Sequence, residues 1–147
     1  MRKKMRLLFI AWILISLVLI AALSACGPVT VKSLKERPVG TLSFEVAQPY
    51  QDVYHKILQQ ARVCYLNKPI DEQIIIRDRR INKDKTANIT LAYVYALKPE
   101  QVFMTIDTIF LDENRTSVKI WHASRQYKKQ VAAIPQWVED GSAKCVS

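Results

Sequence analysis

An apolar run near the N-terminus constrains this 147-residue chain more than any other feature. Residues Leu7 to Leu23 read LLFIAWILISLVLIAAL, and Ser16 is their only polar side chain. Four basic residues and no acidic residue precede the run: Arg2, Lys3, Lys4 and Arg6. A basic start followed by an apolar stretch is typical of a secretory signal, whereas a membrane-spanning helix needs about 20 residues. Length alone therefore leaves both a cleaved signal and an uncleaved anchor open.

The end of the run favours cleavage and lipid attachment. Leu23, Ser24, Ala25 and Cys26 resemble the lipobox of bacterial lipoproteins, in which a branched apolar residue and two small residues precede a cysteine. The resemblance implies a diacylglyceryl thioether on the Cys26 sulfur, cleavage before Cys26 and acylation of the new amino group. Residues 1–25 are then a signal peptide. The alternative is an uncleaved transmembrane anchor in which Cys26 is incidental.

The same resemblance implies a location. In both alternatives the folded part faces away from the cytoplasm, because the basic residues precede the apolar span. Gly27 follows the cysteine, and in lipoproteins of enteric-type bacteria a residue other than Asp there implies sorting to the outer membrane. Three acyl chains exceed the two signals that stable anchoring needs. We therefore expect a lipid anchor at Cys26 in the inner leaflet of the outer membrane, with the protein facing the periplasm.

Size and charge limit the number of domains and the kinds of partner that the mature protein can have. Cleavage before Cys26 removes 25 of 147 residues and leaves 122, enough for one domain. The whole chain carries +9, but four of its 22 basic residues lie in the signal, so 18 basic and 13 acidic side chains give +5. Anionic lipid or an acidic envelope protein complex fits this charge. A nucleic-acid partner is not expected in the envelope.

Two cysteines remain once Cys26 is assigned to lipid. Cys64 and Cys145 are an even pair in an oxidising compartment, so we predict a disulfide between them. The alternative is a buried thiol at Cys64 and a loose thiol at Cys145. No metal site is expected, because the two cysteines are far apart and no pair of histidines lies near them.

Periodicity predicts an α+β domain over residues 41–147, behind a lipidated N-terminus and tether over residues 26–40. An alternating strand over 41–47 is followed by an amphipathic helix from Tyr50 to about Tyr65. Four strands with short polar turns then predict an antiparallel meander. A last helix is predicted from Arg125, with Pro135 expected to kink or divide it and Gly141 to cap it. The last strands are expected over these ranges: 73–81, 87–97, 102–111 and 116–124.

The predicted order is β-α-β-β-β-β-α, a five-stranded antiparallel sheet with both helices packed on one face. In the third strand of the meander, Val102, Met104, Ile106 and Phe110 are expected to share a face. The order resembles the helix-grip type of domain found in some outer-membrane lipoproteins. That resemblance rests on element order alone and implies no functional residue.

Residues suited to catalysis are few. The three glycines are far apart, which argues against a phosphate-binding loop, and no serine lies in a nucleophile elbow. His122, near the end of the last strand, is either a general base at a pocket mouth or a histidine at the edge of the core. His55 faces solvent by helical phase. We expect no enzyme, cofactor or metal, and the alternative of an envelope enzyme would be centred on His122.

Basic residues are the most suggestive feature of the mature chain. One group follows the second predicted strand into its turn: Arg77, Arg79, Arg80, Lys83 and Lys85. A second gathers near the start of the last helix: Lys119, Arg125, Lys128 and Lys129. The first group is interpreted as a contact for an anionic partner, or as a solvated hairpin whose charges prevent edge pairing.

Two readings of the function follow. The preferred one is a non-catalytic, periplasm-facing binding or accessory module that holds or stabilises an envelope protein complex. The alternative is a binder of lipid or another amphiphile in a groove between sheet and helices, lined by Tyr93 and Tyr95. Strict alternation also allows these tyrosines to be ordinary core residues.

Overall fold

The computed structural model describes residues 29–66, 73–81, 85–141 and Cys145. The predictions for Cys26 and Lys83 lie outside these residues. The elements are α1 Val31–Glu36, β1 Gly40–Val46, α2 Tyr50–Leu66, β2 Gln73–Ile81, β3 Thr86–Val94, β4 Gln101–Asp112, β5 Arg115–His122, a 3-10 turn Arg125–Tyr127 and α3 Lys128–Asp140. None of the helices described has the length and apolar character needed to span a bilayer.

The five strands form one antiparallel sheet in the order β1-β5-β4-β3-β2. The meander from β2 to β5 follows from short connections, which join only antiparallel neighbours. β1 then pairs with the last strand, and Phe44 lies opposite Val118. The α+β class and the predicted order of strands and major helices are confirmed.

One face of the sheet, here called the inner face, packs against α2 and α3. Ile57 and Ala61 of α2 and Ile134 of α3 are fully buried, at the helical spacing expected for a helix with one apolar face. They contact a single apolar cluster that includes Ile106 and Ile120 from the central strands. Each buried isoleucine adds about 1.5–3 kcal/mol by leaving water, so this layer supplies most of the hydrophobic stabilisation.

α3 continues past Pro135 from Lys128 to Asp140, so of the two predicted alternatives, a kinked helix or two short helices, the division is wrong. Proline removes one hydrogen bond of the helix. The burial of Ile134 and Trp137 on either side holds the helix together despite that loss. Gly141 ends it in the left-handed conformation with φ of 61°, which confirms the predicted cap.

A bulge reverses the facing of Val102. Leu91 pairs with Met104 and the next residue, Ala92, pairs with Val102, so Phe103 is an extra residue in β4. The bulge places Phe103 and Met104 in the inner cluster and Val102 in a second cluster on the other face. The prediction that Val102 shares a face with Met104 and Ile106 is therefore wrong.

Part of the expected tether is a helix. Thr30 accepts a hydrogen bond from the Ser33 backbone N–H, and the Ser33 hydroxyl oxygen accepts one from the Thr30 N–H, a reciprocal cap that starts α1. Leu34, 2% exposed, packs with Val102 and Trp121 on the face opposite α2 and α3. The predicted tether over residues 26–40 is therefore wrong from Val29 onward, where the chain is folded against the sheet. The sequence did not predict α1 because six residues are too few to show helical periodicity.

The structure joins the sulfurs of Cys64 and Cys145, which are 81 residues apart in sequence. Cys64 lies on the buried side of α2, near its C-terminal end. The bond ties the segment after α3 to α2, the position that the sequence predicted for a bridge.

We expect Cys145→Ser to lower the free energy of unfolding by about 4–5 kcal/mol, because a cross-link over so long a loop restricts the unfolded chain. Urea denaturation of the oxidised mature protein measures this loss. Reducing the wild type should produce the same loss, whereas the variant should not respond to reductant. Two free thiols titrated in denatured, unreduced wild type would contradict the bridge.

Candidate binding surface on the open face of the sheet

The face of the sheet opposite α2 and α3, here called the open face, is covered by α1 alone among the elements that the structure describes. Its side chains alternate with those of the inner face, and the strand register lines up Arg79, Asn88, Asp107 and Lys119 in one row across four strands. A neighbouring row contains Arg77, Thr90 and Thr105, with Trp121 next in register. Thr90 and Thr105 are buried, at 4% and 0% exposure, so the accessible polar surface consists of the first row and Arg77.

Asp107 is the centre of a hydrogen-bonded network on this face. Its carboxylate accepts hydrogen bonds from the Lys35 ammonium of α1 and from the Asn88 side chain, the latter at 2.7 Å. Asn88 also donates to the Thr105 hydroxyl and accepts from Thr90, both at 2.7 Å. The network fixes α1 to the sheet and holds several polar side chains in single orientations.

Beside α1, the open face forms a groove of about 630 Å³. Arg77 and Arg79 line it from β2, and Lys35 and Asp107 line it from the opposite side. Arg77 is paired with Glu100 at 2.6 Å. Arg79 is exposed and forms no ion pair with any described residue. The groove therefore offers one guanidinium for a partner beside charges that are already paired.

The predicted basic group of the β2–β3 hairpin divides between two faces. Of its four described members, Arg77 and Arg79 lie together, because alternate residues of a strand point to opposite sides. Arg80 lies on the inner side, 4.7 Å from the ring of Tyr54, and Lys85 lies 4.0 Å from the ring of Phe110. The charge run is evident in the sequence, but neighbouring charges of a strand face opposite sides of the sheet. The run therefore does not form one basic surface.

Tyr54 links this hairpin to α2. Its hydroxyl donates to the Asp78 carboxylate at 2.5 Å. Burial raises the pKa of the Tyr54 phenol, and the hydrogen bond to Asp78 raises that pKa further. The bond to Tyr54 raises the pKa of Arg80 as well. These contacts fix the edge strand β2 against α2, and its charged side chains protect the edge against pairing.

The second basic group is divided as well. Lys119 stands on the open face, 5.1 Å from the Trp121 ring. Arg125, in the 3-10 turn before α3, and Lys128, at the start of α3, lie beside a hollow of about 410 Å³ that His122 also lines. Lys129 is exposed on the same turn of the chain.

His122 belongs to the edge of the core. It is 6% exposed, and its Nδ1 donates to the Ser124 carbonyl oxygen at 2.8 Å. Opposite it in the β1–β5 ladder lies Gly40, where a Cβ atom would be 2.3 Å from His122 Nε2. The hollow beside the ring is lined by apolar, hydroxyl and basic side chains, and this arrangement gives the ring a packing role.

We expect Gly40→Ala to lower the free energy of unfolding by about 1–3 kcal/mol, because the added methyl group overlaps a ring that is held in place. Thermal or urea denaturation measures the change. The double variant Gly40→Ala/His122→Ala should lose less than the sum of its single variants, since the overlap is gone. A stabilised Gly40→Ala protein would contradict the close approach, because alanine restricts the unfolded chain.

The space between sheet and helices, where the alternative function places an amphiphile, is occupied by side chains in the described part of the chain. Leu91, Met104 and Ile106 are fully buried there. Tyr93 contacts Phe103, with ring centroids 4.6 Å apart, and its hydroxyl lies 3.0 Å from that of Tyr127. Tyr95, expected in a strand, lies after the end of β3. This packing favours the reading of Tyr93 as a core residue.

No protein-family model and no curated protein matches the chain. Among solved structures, the chain is similar to a point mutant of Thalictrum flavum norcoclaurine synthase in complex with a transition-state analogue, at 10% identity and a TM-score of 0.33, over 71% of this chain and 89% of that one. It is also similar to the di-domain ARO/CYC BexL of the BE-7585A biosynthetic pathway, at 15% identity and a TM-score of 0.24, over 75% and 47%. Likeness at these TM-scores carries no argument about activity.

Proposed function

We propose that this chain is a lipid-anchored, non-catalytic binding module of the bacterial cell envelope. It is attached through Cys26 to the inner leaflet of the outer membrane, faces the periplasm and holds or stabilises an envelope protein complex. The observation that carries the proposal is the sequence Leu23-Ser24-Ala25-Cys26 directly after a basic start and an apolar run. The bond between Cys64 and Cys145 fits the oxidising periplasm.

The open face is the surface that we assign to the partner. Asp107 is held by both α1 and β3, so its row needs little reorganisation when a partner binds, and a preorganised surface loses less entropy on association. Arg79 supplies a planar guanidinium suited to a carboxylate. A protein surface with acidic and polar side chains fits this row.

The lipid anchor is tested by labelling. We expect Cys26→Ala to abolish incorporation of radioactive palmitate in cells, because the acylated amino group and the thioether both require that cysteine. Cys145→Ser is the matched control and should keep its label. Labelled Cys26→Ala protein would contradict the proposal.

The binding surface is tested by crosslinking in intact cells. A photo-activatable residue at position 79 should give a discrete adduct with one envelope protein, and the same residue at Gln59, on the exposed side of α2, should not. Lys119→Glu should reduce the adduct from position 79, because it reverses a charge in the same row. Adducts of equal yield from both positions, or from position 59 alone, would contradict the assignment to the open face.

A further inference from the structure

We infer that the domain rests directly on the bilayer through the end at which the chain enters from Cys26, with Leu97 inserted into the lipid interface. We call this the entry end; there β3 ends, β4 begins, and the turn between them carries Leu97. The inference rests on the proposed lipidation of Cys26 and adds a second membrane contact to it.

The chain is too short to lift the domain away. Val29 is already fixed to the sheet: its carbonyl accepts the Val102 N–H at 2.9 Å, and its N–H donates to the Gln101 side chain at 3.2 Å. Three peptide units separate Cys26 from Val29, which limits their Cα atoms to about 11 Å apart even when fully extended. A lipidated Cys26 lies at the membrane surface, so the start of β4, which is bonded to Val29, lies close to the membrane surface.

Exposed apolar side chains collect at the entry end. Val39 follows α1 and bonds to the backbone of His122 at the end of β5, Val63 and Leu66 lie at the C-terminal end of α2, and Leu97 lies in the β3–β4 turn. These are four of the five large apolar side chains exposed among the described residues; their exposures are 52%, 44%, 48% and 104%. The fifth, Leu111 at 41%, lies at the opposite end of the sheet, near the β4–β5 turn.

Leu97 stands out among them. It is wholly exposed, and its φ of 66° lies in the left-handed region, which bulky residues rarely adopt. A glycine or asparagine would satisfy this turn at lower cost. A large apolar side chain held at the tip of a turn, four residues before the start of β4, is positioned to enter a lipid interface.

Charge at this end complements anionic headgroups. Lys98 is next to Leu97, and Arg125, Lys128 and Lys129 are exposed at the start of α3, which also lies at the entry end. The acidic residue beside the turn, Glu100, is paired with Arg77. The opposite end carries the exposed acidic side chains of Asp52, Glu113, Glu139 and Asp140, together with the exposed basic side chains of Lys85 and Arg115. Arg115 is paired with Asp112. Basic residues close to a membrane anchor are attracted to anionic lipid, so the basic residues of the entry end favour the same orientation as its apolar residues.

The test uses the lipidated, disulfide-bonded protein in vesicles of phosphatidylcholine and phosphatidylglycerol. Leu97→Cys is labelled with an environment-sensitive fluorophore, and Leu111→Cys, at the opposite end, is the matched control. Both positions are exposed, so neither substitution removes a core contact. We expect a blue shift and quenching by shallow brominated lipids at position 97, and neither effect at position 111. In vesicles of phosphatidylcholine alone, the shift at position 97 should be smaller.

Flotation of the same samples separates this inference from the proposed function. If the protein floats with the vesicles while the probe at position 97 reports water, the anchor stands and the inference is overturned. If both probes report lipid to the same degree, the stated orientation is overturned. If a Cys26→Ala variant floats as well as the wild type, the lipid anchor fails, and the inference fails with it.

Discussion

The structure depends on the difference between the two faces of the central strands. Ile106 of β4 and Ile120 of β5 lie in register, and both are fully buried beneath α2 and α3. Because side chains of a strand alternate, burying these residues forces Asp107 and Lys119 to the open face. The row of polar residues that we assign to a partner is therefore a geometric consequence of the core. A shift of register by one residue would exchange the two faces, and both the buried core and the polar row would be lost.

α1 packs on the open face and also fixes the position of the chain that leads to it. Leu34 anchors this short helix on the apolar patch around Val102, while Lys35 reaches Asp107 in the polar row. An isolated helix of six residues is not stable in water, so α1 exists because the sheet offers both contacts. The same docking fixes Val29 at the start of β4, which places the proposed lipid site close to the folded domain.

Much of the fold was predictable from local pattern. The strand over Gly40–Val46 alternates cleanly, and α2 shows its buried residues at helical spacing, so the class and element order followed without tertiary information. The errors have specific causes. An extra residue at Phe103 reversed the facing of Val102, and α1 was too short for its periodicity to appear. The continuity of α3 across Pro135 depends on packing by neighbouring side chains, which no local rule contains.

The candidate site was predictable only in part. The charge run beginning at Arg77 is evident in the sequence, but its division between the two faces requires the paired strands. By itself, the sequence determined the hydrophobic periodicity, the cysteine pair and the resemblance around Cys26, since each is a property of neighbouring residues or of composition. Only the tertiary structure decided which charges meet, that Asp107 is held by both Lys35 and Asn88, and that exposed apolar residues collect at one end. Those facts join residues that are distant in sequence, and distance across a sheet is set by register and packing, which local pattern does not encode.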